Sequence, residues 1–323
     1  MCMQFSGNEV KRTNKKSVLV SPLASGLLLV LLGLIAYPSQ AAEPNQVLNL
    51  YSARHYQTDE ALYANFTKST GIKINRIEAD DNALLERLNS EGARSPADVI
   101  LLVDAARLWR AQVNGMFKPI QSKILEQRIP TNLRAKPDSD GTTWFGFSTR
   151  ARIIVYSKDS VKPDTVNTYE KLADPVNKGK VCTRSGSHPY MLSLVGALIE
   201  RDGTAATEKW AKGMVANMAR APKGGDTDQI RAVASGECKV ALTNSYYLAR
   251  IMRSTKPEDV AVIAKVGHLW PNQNAGGVHI NISGGGVAKN APNPQAAIKF
   301  LEYLASDGPL EILQDIHFSI NGQ

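Results

Sequence analysis

The chain is 323 residues long, a length that suggests two domains, or three at most. Hydrophobic residues make up 43% and charged residues 21%, which excludes a disordered, collagenous or coiled-coil protein and allows a substantial core. The formal net charge of +8 raises the question of nucleic acid, which the charge distribution answers.

The first 41 residues carry much of the excess charge: Lys11, Arg12, Lys15 and Lys16 against Glu9. An unbroken apolar run follows from Leu27 to Tyr37, then Ser39-Gln40-Ala41. Basic region, apolar region and small residues in that order describe a secretory signal, with cleavage expected after Ala41. The alternative is an uncleaved anchor, for which Ser21, Pro22 and Ser25 make a poor span. No other segment is apolar enough to enter a membrane, so a multispanning protein is excluded. Removing residues 1–41 leaves 34 basic and 29 acidic residues, with no block of five like charges. Nucleic acid is therefore not an expected partner. Cys2 leaves with the signal. In an oxidising compartment the remaining Cys182 and Cys238 favour one intrachain disulfide over two free thiols.

Short strand-like runs then alternate with helical ones. Residues 46–52 read as a strand, and 59–69 as a helix with Thr58 suited to its N-cap. Residues 72–77 alternate like a strand, 81–91 read as a helix, 98–103 as a buried strand and 104–113 as a helix. A strand-like segment covers 144–156. Helices are expected at 189–201, 204–218, 227–235 and 246–253, and strands at 239–242, 260–265 and 278–282. An amphipathic helix covers 293–306. The alternation predicts an α/β fold with mixed, mostly parallel sheets. The polar run 136–143 and the turn-rich run 271–277 are the places where the chain could cross between two lobes, as in a clamshell with a hinge of two crossover strands. The expected organisation is a signal (1–41), one lobe from 42–145 with 277–323, and a second lobe from 146–276.

Tyrosine is distributed unusually. His55-Tyr56, Tyr190 and the pair Tyr246-Tyr247 each follow a predicted strand and a short polar loop, at or just before a helix start. Ser187 or His188 would cap the helix at Tyr190, with Pro189 suited to its first position. Asn244 or Ser245 would cap the helix that begins with Tyr246 and Tyr247, which would stand ~100° apart around its first turn. In open α/β sheets, ligands bind beyond the carboxyl ends of strands, where helix N-termini favour anions. A phenol titrates near ~10, so a hard trivalent cation is the natural agent to strip its proton. Zinc prefers Cys and His, and calcium prefers carboxylates, which leaves Fe3+ as the match for phenolate oxygen. Tyr56, Tyr190, Tyr246 and Tyr247 as phenolates, with neutral His55, would leave the site one negative charge in excess. Arg54 and Arg152 are candidates to balance it, or to hold a small anion such as carbonate.

The stretches LYSARHYQTDEALY (50–63), SPADVILLVDAARLWR (95–110), WFGFSTRARIIVY (144–156), RSGSHPYMLSL (184–194), GGDTDQIRAVASGEC (224–238) and NSYYLARI (244–251) resemble the periplasmic ferric-iron-binding proteins of ABC importers, the bacterial transferrins. The resemblance runs from about 45 to about 308. It implies a type II periplasmic-binding-protein fold, Fe3+ bound by Tyr190, Tyr246 and Tyr247, and His55 and Tyr56 as further ligands in the subgroup with His-Tyr at the first station. It also implies a periplasmic location, an inner-membrane permease as partner, a monomer, no enzymatic turnover and, in some members, carbonate as a synergistic anion. Met191 stands where many relatives have Asn, with little expected effect on the metal. The end of the chain, GPLEILQDIHFSINGQ, departs from the family's longer C-terminus, so weaker docking of the last helix is expected there.

Other features read as structural. Tyr51, Tyr63, Tyr156, Tyr169 and Tyr303 are packing residues, and His188 belongs to a loop. Ser185-Gly186-Ser187-His188 lacks a nucleophile elbow, and Ser283-Gly284-Gly285-Gly286 lacks the Lys-Ser/Thr of a phosphate loop. Those glycines point to a bend or to close backbone packing. Asp226 reads as a helix N-cap. A solute-binding protein for a small anion or organic solute is the alternative to an iron carrier, and an exported hydrolase is a third reading for which no nucleophile–base pair is evident.

Overall fold

The computed structural model describes residues 47–54 and 59–307. The signal segment, His55, Tyr56, Thr58 and the stretch 308–323 therefore lie outside the described residues. The elements are β1 (Val47–Ser52), α1 (Asp59–Thr70), β2 (Lys73–Glu78), α2 (Asp81–Glu91), β3 (Val99–Leu102), α3 (Ala105–Val113), α4 (Lys123–Arg128) and β4 (Phe145–Ser157). There follow β5 (Val181–Cys182), α5 (Pro189–Asp202), α6 (Thr204–Ala216), α7 (Asp226–Ser235), β6 (Val240–Asn244) and α8 (Ser245–Met252). The last are α9 (Pro257–Lys265), β7 (Val266–Leu269), β8 (Ile280–Val287) and α10 (Pro294–Leu304). Among the described residues no helix is long and apolar enough to cross a membrane.

The strands run in the order β2-β1-β3-β8-β4-β6-β5, with β7 on β4. β1 is parallel to β2 and β3, and β5 is parallel to β6. Every pairing made by β4 or β8 is antiparallel. The sheet is thus mixed, with a smaller parallel share than the alternation suggests, because the strands that link the two lobes run against their neighbours. β4 does the linking. Its residues Phe145–Ala151 pair with β8, while Arg152–Ser157 pair with β6 and β7. The chain returns through 270–279 into β8.

Each lobe buries both faces of its sheet. Along β4, Ile153 and Val155 enter one cluster with Ala241, Ile230 and Leu248, while Ile154 enters another with Leu242, Leu194 and Trp210. That is the period of two of a strand with covered faces. In the first lobe Leu48 and Leu50 face Phe66, Phe145 and Phe300, while Tyr51 faces Leu84 and Leu108. The cysteines expected to pair do so: Cys182 at the end of β5 and Cys238 before β6 form a disulfide, both buried.

The glycines of β8 settle the choice between a bend and close packing. A Cβ on Gly284 would lie 2.4 Å from the Phe145 carbonyl oxygen, and one on Gly285 would lie 2.3 Å from that of Ile100. The strand is a close backbone contact between β3 and β4, not a bend.

Two local expectations change. Residues 260–265, read as a strand, belong to α9. Pro257 opens that helix with Glu258 and Asp259 in its first turn, and the strand comes after it as β7. A short apolar run does not by itself separate buried strand from helix. Asp226 is not the N-cap of α7: Gly225 holds that position and Asp226 begins the helix, fully buried. The short elements α4 and β5 carry too few periodic residues to be read in advance. The tyrosines assigned to packing do pack: the hydroxyls of Tyr51, Tyr169 and Tyr303 donate to Glu91, the Arg152 carbonyl and the Leu62 carbonyl, respectively.

Candidate metal centre

β5 and β6 are adjacent and parallel, so the segments that leave their carboxyl ends emerge on one side of the sheet. Both lead into helices that begin with the tyrosines singled out above. His188 caps α5: its Nδ1 accepts from the Tyr190 backbone N–H at 3.2 Å, and Pro189 fills the first helical position. Asn244 occupies the N-cap position of α8, which places Tyr246 and Tyr247 in the first turn. The consequence is direct contact. The Tyr190 and Tyr246 hydroxyls are 3.0 Å apart, and either can donate to the other. Tyr190 is 7% exposed and Tyr246 4%, while Tyr247 is half-buried. The Tyr246 and Tyr247 rings stack at 4.3 Å between centroids, tilted by 31°.

Among the described residues, the guanidinium groups of Arg150, Arg184 and Arg250 face these rings. Arg150 and Arg184 lie 5.2 Å and 4.8 Å from the Tyr190 ring centroid, and Arg250 lies 5.4 Å from that of Tyr247. At these distances a cation is attracted to the ring face.

The arginines proposed from the sequence each pair with a carboxylate. Arg152, 1% exposed, donates to Asp226 at 2.6 Å and to Asn244 Oδ1 at 3.2 Å. Arg54 forms a two-pronged ion pair with Asp59, at 3.0 Å and 2.8 Å, and donates to Ser148 Oγ at 3.2 Å. Each thus has a carboxylate partner, as does Arg184, which shares Asp226 with Arg152. Arg250 carried a readable signal, three residues after Tyr247 on one helix. Arg184 lies in the loop six residues before Tyr190, while Arg150 carried no signal, because only the topology brings β4 to Tyr190.

Asp226 ties the two tyrosine stations together. Its carboxylate accepts from Arg152, from Arg184 at 3.3 Å and from the Asn244 backbone N–H at 2.7 Å. Arg184 faces Tyr190, and Asn244 caps the helix of Tyr246. Met191 lies in the same buried network, its sulfur 3.4 Å from Arg152 and 3.3 Å from Thr183 Oγ1. Burial, reinforced by Arg184, depresses the His188 pKa to about 4, so the imidazole is a neutral acceptor at neutral pH.

Among the described residues no group of three or more His, Cys, Asp or Glu could hold a metal. The donor set gathered here is phenolic, beside two helix N-termini and three cations. That arrangement suits a small, hard, highly charged cation bound through anionic oxygen, or a small anion. Residues 54 and 59 bracket the His55-Tyr56 station.

Comparison with known proteins places this geometry among relatives. The profile of the bacterial extracellular solute-binding protein family matches residues 61–310. The chain is 53% identical over 262 residues to iron uptake protein A1 of Synechocystis sp., covering 81% of this chain and 72% of that protein. It is similar to a Trichodesmium protein solved in complex with iron and citrate ligands, at 55% identity and a TM-score of 0.76, covering 84% of each chain. It is also similar to the ferric binding protein from Campylobacter jejuni, at 41% identity and a TM-score of 0.78, covering 83% of this chain and 84% of that one.

Proposed function

We propose that this chain, which belongs to the bacterial extracellular solute-binding protein family, is the substrate-binding component of an ABC-type iron(III) importer. It binds Fe3+ in the cleft between its lobes through tyrosinates and delivers the ion to a membrane permease. The observation that carries this reading is the 3.0 Å contact between the Tyr190 and Tyr246 hydroxyls at the starts of two helices. The relatives' names, iron uptake protein and ferric binding protein, agree with it.

The proposed ligands are Tyr190, Tyr246 and Tyr247, with His55 and Tyr56 completing the shell. In the metal-free state the Tyr190 and Tyr246 phenols share a hydrogen bond. Fe3+ displaces the protons of both and takes the oxygens, so each bound ion releases protons to water. Arg150, Arg184 and Arg250 offset the phenolate charge, and Arg54 and Arg152 are further residues proposed to balance it or to hold a small anion. A synergistic anion, carbonate or another small oxyanion, would complete the shell on the solvent side. The lobes are assigned as 42–145 with 277–323 and 146–276, the protein works as a monomer, and cleavage near Ala41 delivers it to the periplasm. Binding without turnover is expected.

The test is the visible spectrum of residues 42–323 during titration with chelated Fe3+. A tyrosinate-to-iron charge-transfer band that saturates at one ion per chain is expected. A folded sample with no band overturns the reading in favour of a small anion or organic solute.

A further inference from the structure

Asn281 sits near the start of β8, where the chain returns to the first lobe, and is 7% exposed. Its carboxamide makes contacts in two directions. Nδ2 donates to Asp104 Oδ2 at 2.8 Å and to Ser193 Oγ at 2.5 Å. Oδ1 accepts from the backbone N–H groups of Ala105 at 3.0 Å and Ile282 at 2.7 Å. Both donors and the acceptor are therefore in use.

The two partners belong to different lobes. Asp104 is the N-cap of α3, its other oxygen accepting from Ala106 N–H at 2.8 Å, and α3 buries Leu108 against the first sheet. Ser193 lies on α5, which buries Leu194 and Leu198 against the second sheet. Ser193 is also 3.0 Å from His279 Nε2 on the same return segment. Tyr190 lies three residues earlier on α5, so Ser193 and the tyrosine move as one body: a helical segment of that length is stiff and spans roughly 5 Å.

We propose that Asn281 is a closure clasp, a positioning residue that fastens the tyrosine-bearing helix α5 to the cap of α3 across the cleft floor. Only a carboxamide fits the position, because the site needs two N–H donors and one acceptor on a single planar group. A carboxylate there would face Asp104 with like charge and would have no proton to give Ser193. The clasp adds hold to the closed cleft without touching the cargo. The iron part of this inference rests on the function proposed above, while the clasp itself does not.

The experiment uses Ser193→Ala, which removes the α5 contacts to Asn281 and His279 together, and Asn281→Asp, which removes both Asn281 donors and leaves the Ser193–His279 contact in place. Spin labels attached through Val113→Cys on α3 and Val215→Cys on α6, both exposed positions, report the distance between lobes in iron-free protein. The expected result is a shift toward longer distances in Ser193→Ala and a larger shift in Asn281→Asp. Iron loss to a competing chelator should quicken roughly 5–30-fold in Ser193→Ala, with the charge-transfer band at an unchanged position. An unchanged distance distribution in folded Ser193→Ala overturns the clasp, whether or not the protein binds iron. If the wild type shows no iron band, the function is lost and the distance measurement still decides the clasp. Should Asn281→Asp not fold, Ser193→Ala decides alone.

Discussion

The hydroxyls of Tyr190 and Tyr246 lie 3.0 Å apart although 56 residues separate them. They meet because β5 and β6 are parallel neighbours and each feeds a helix whose first turn carries a tyrosine. The carboxyl ends of adjacent parallel strands are where an open α/β sheet collects its ligands. Tyr247 follows Tyr246 on the same turn and adds a third phenol with no further cost in topology.

Replacing Tyr190, Tyr246 or Tyr247 singly by Phe should weaken Fe3+ binding by more than the roughly 10–100-fold typical of losing an outer partner of a metal ligand. The iron-free proteins should stay folded, because the ring and its packing remain. Competition against a chelator of known affinity measures the first effect and circular dichroism the second. An affinity equal to that of the wild type excludes the substituted tyrosine as a ligand.

Asp226→Ala should be among the most damaging single changes in the second lobe. It leaves Arg152 buried beside no carboxylate and frees both Arg184 and the Asn244 N–H. Breaking a buried ion pair from one side costs about 3–5 kcal/mol. Urea unfolding gives the stability. A loss below about 1 kcal/mol would mean that Arg152 finds water or another partner.

Acid should act on this protein twice. Iron affinity should fall as pH falls, since protons compete with the metal for phenolate oxygen. Stability should fall independently of iron through His279, whose pKa is pushed from 6.5 to about 4 by burial and then by Arg150 and Arg152. Because the folded value is depressed, the unfolded chain binds more protons between these two values. The contribution of His279 is therefore complete above about pH 6.5 and is lost as pH falls toward about 4. Melting temperatures of iron-free protein across this range should drop, and His279→Gln should flatten the drop.

The Cys182–Cys238 bridge joins the end of β5 to the segment before β6, closing a loop with a sequence separation of 56. Reduction, or Cys182→Ala with Cys238→Ala, should lower stability by about 2–5 kcal/mol. The tyrosine helices are held by Asp226 and the sheet besides, so iron binding should survive in the fraction that remains folded. A reduced protein as stable as the oxidised one would show that the bridge adds nothing to the packing of β5 on β6.

Much of the fold was legible because its signals are local. Apolar alternation marked β2, short apolar runs marked β1, β3 and β4, and Pro189 and the polar residues before it marked the start of α5. A tyrosine at a helix start can be read from a few neighbouring residues, and so the phenolic stations stood out. The short run 260–265 reads as a strand when taken without Pro257, the first residue of α9, since a short apolar run fits strand and helix equally.

What the sequence determined by itself was the set of elements, the tyrosines at the helix starts and the pair of cysteines, all consequences of short-range geometry and composition. Tertiary structure alone decided that Arg150 faces Tyr190, that Arg152 and Arg54 pair with Asp226 and Asp59, and that Asn281 spans Asp104 and Ser193. The reason is physical. A charge or an amide is neutralised or satisfied by whatever the strand order brings within about 3 Å, and strand order is set by the burial of whole sheet faces rather than by any neighbour in the chain.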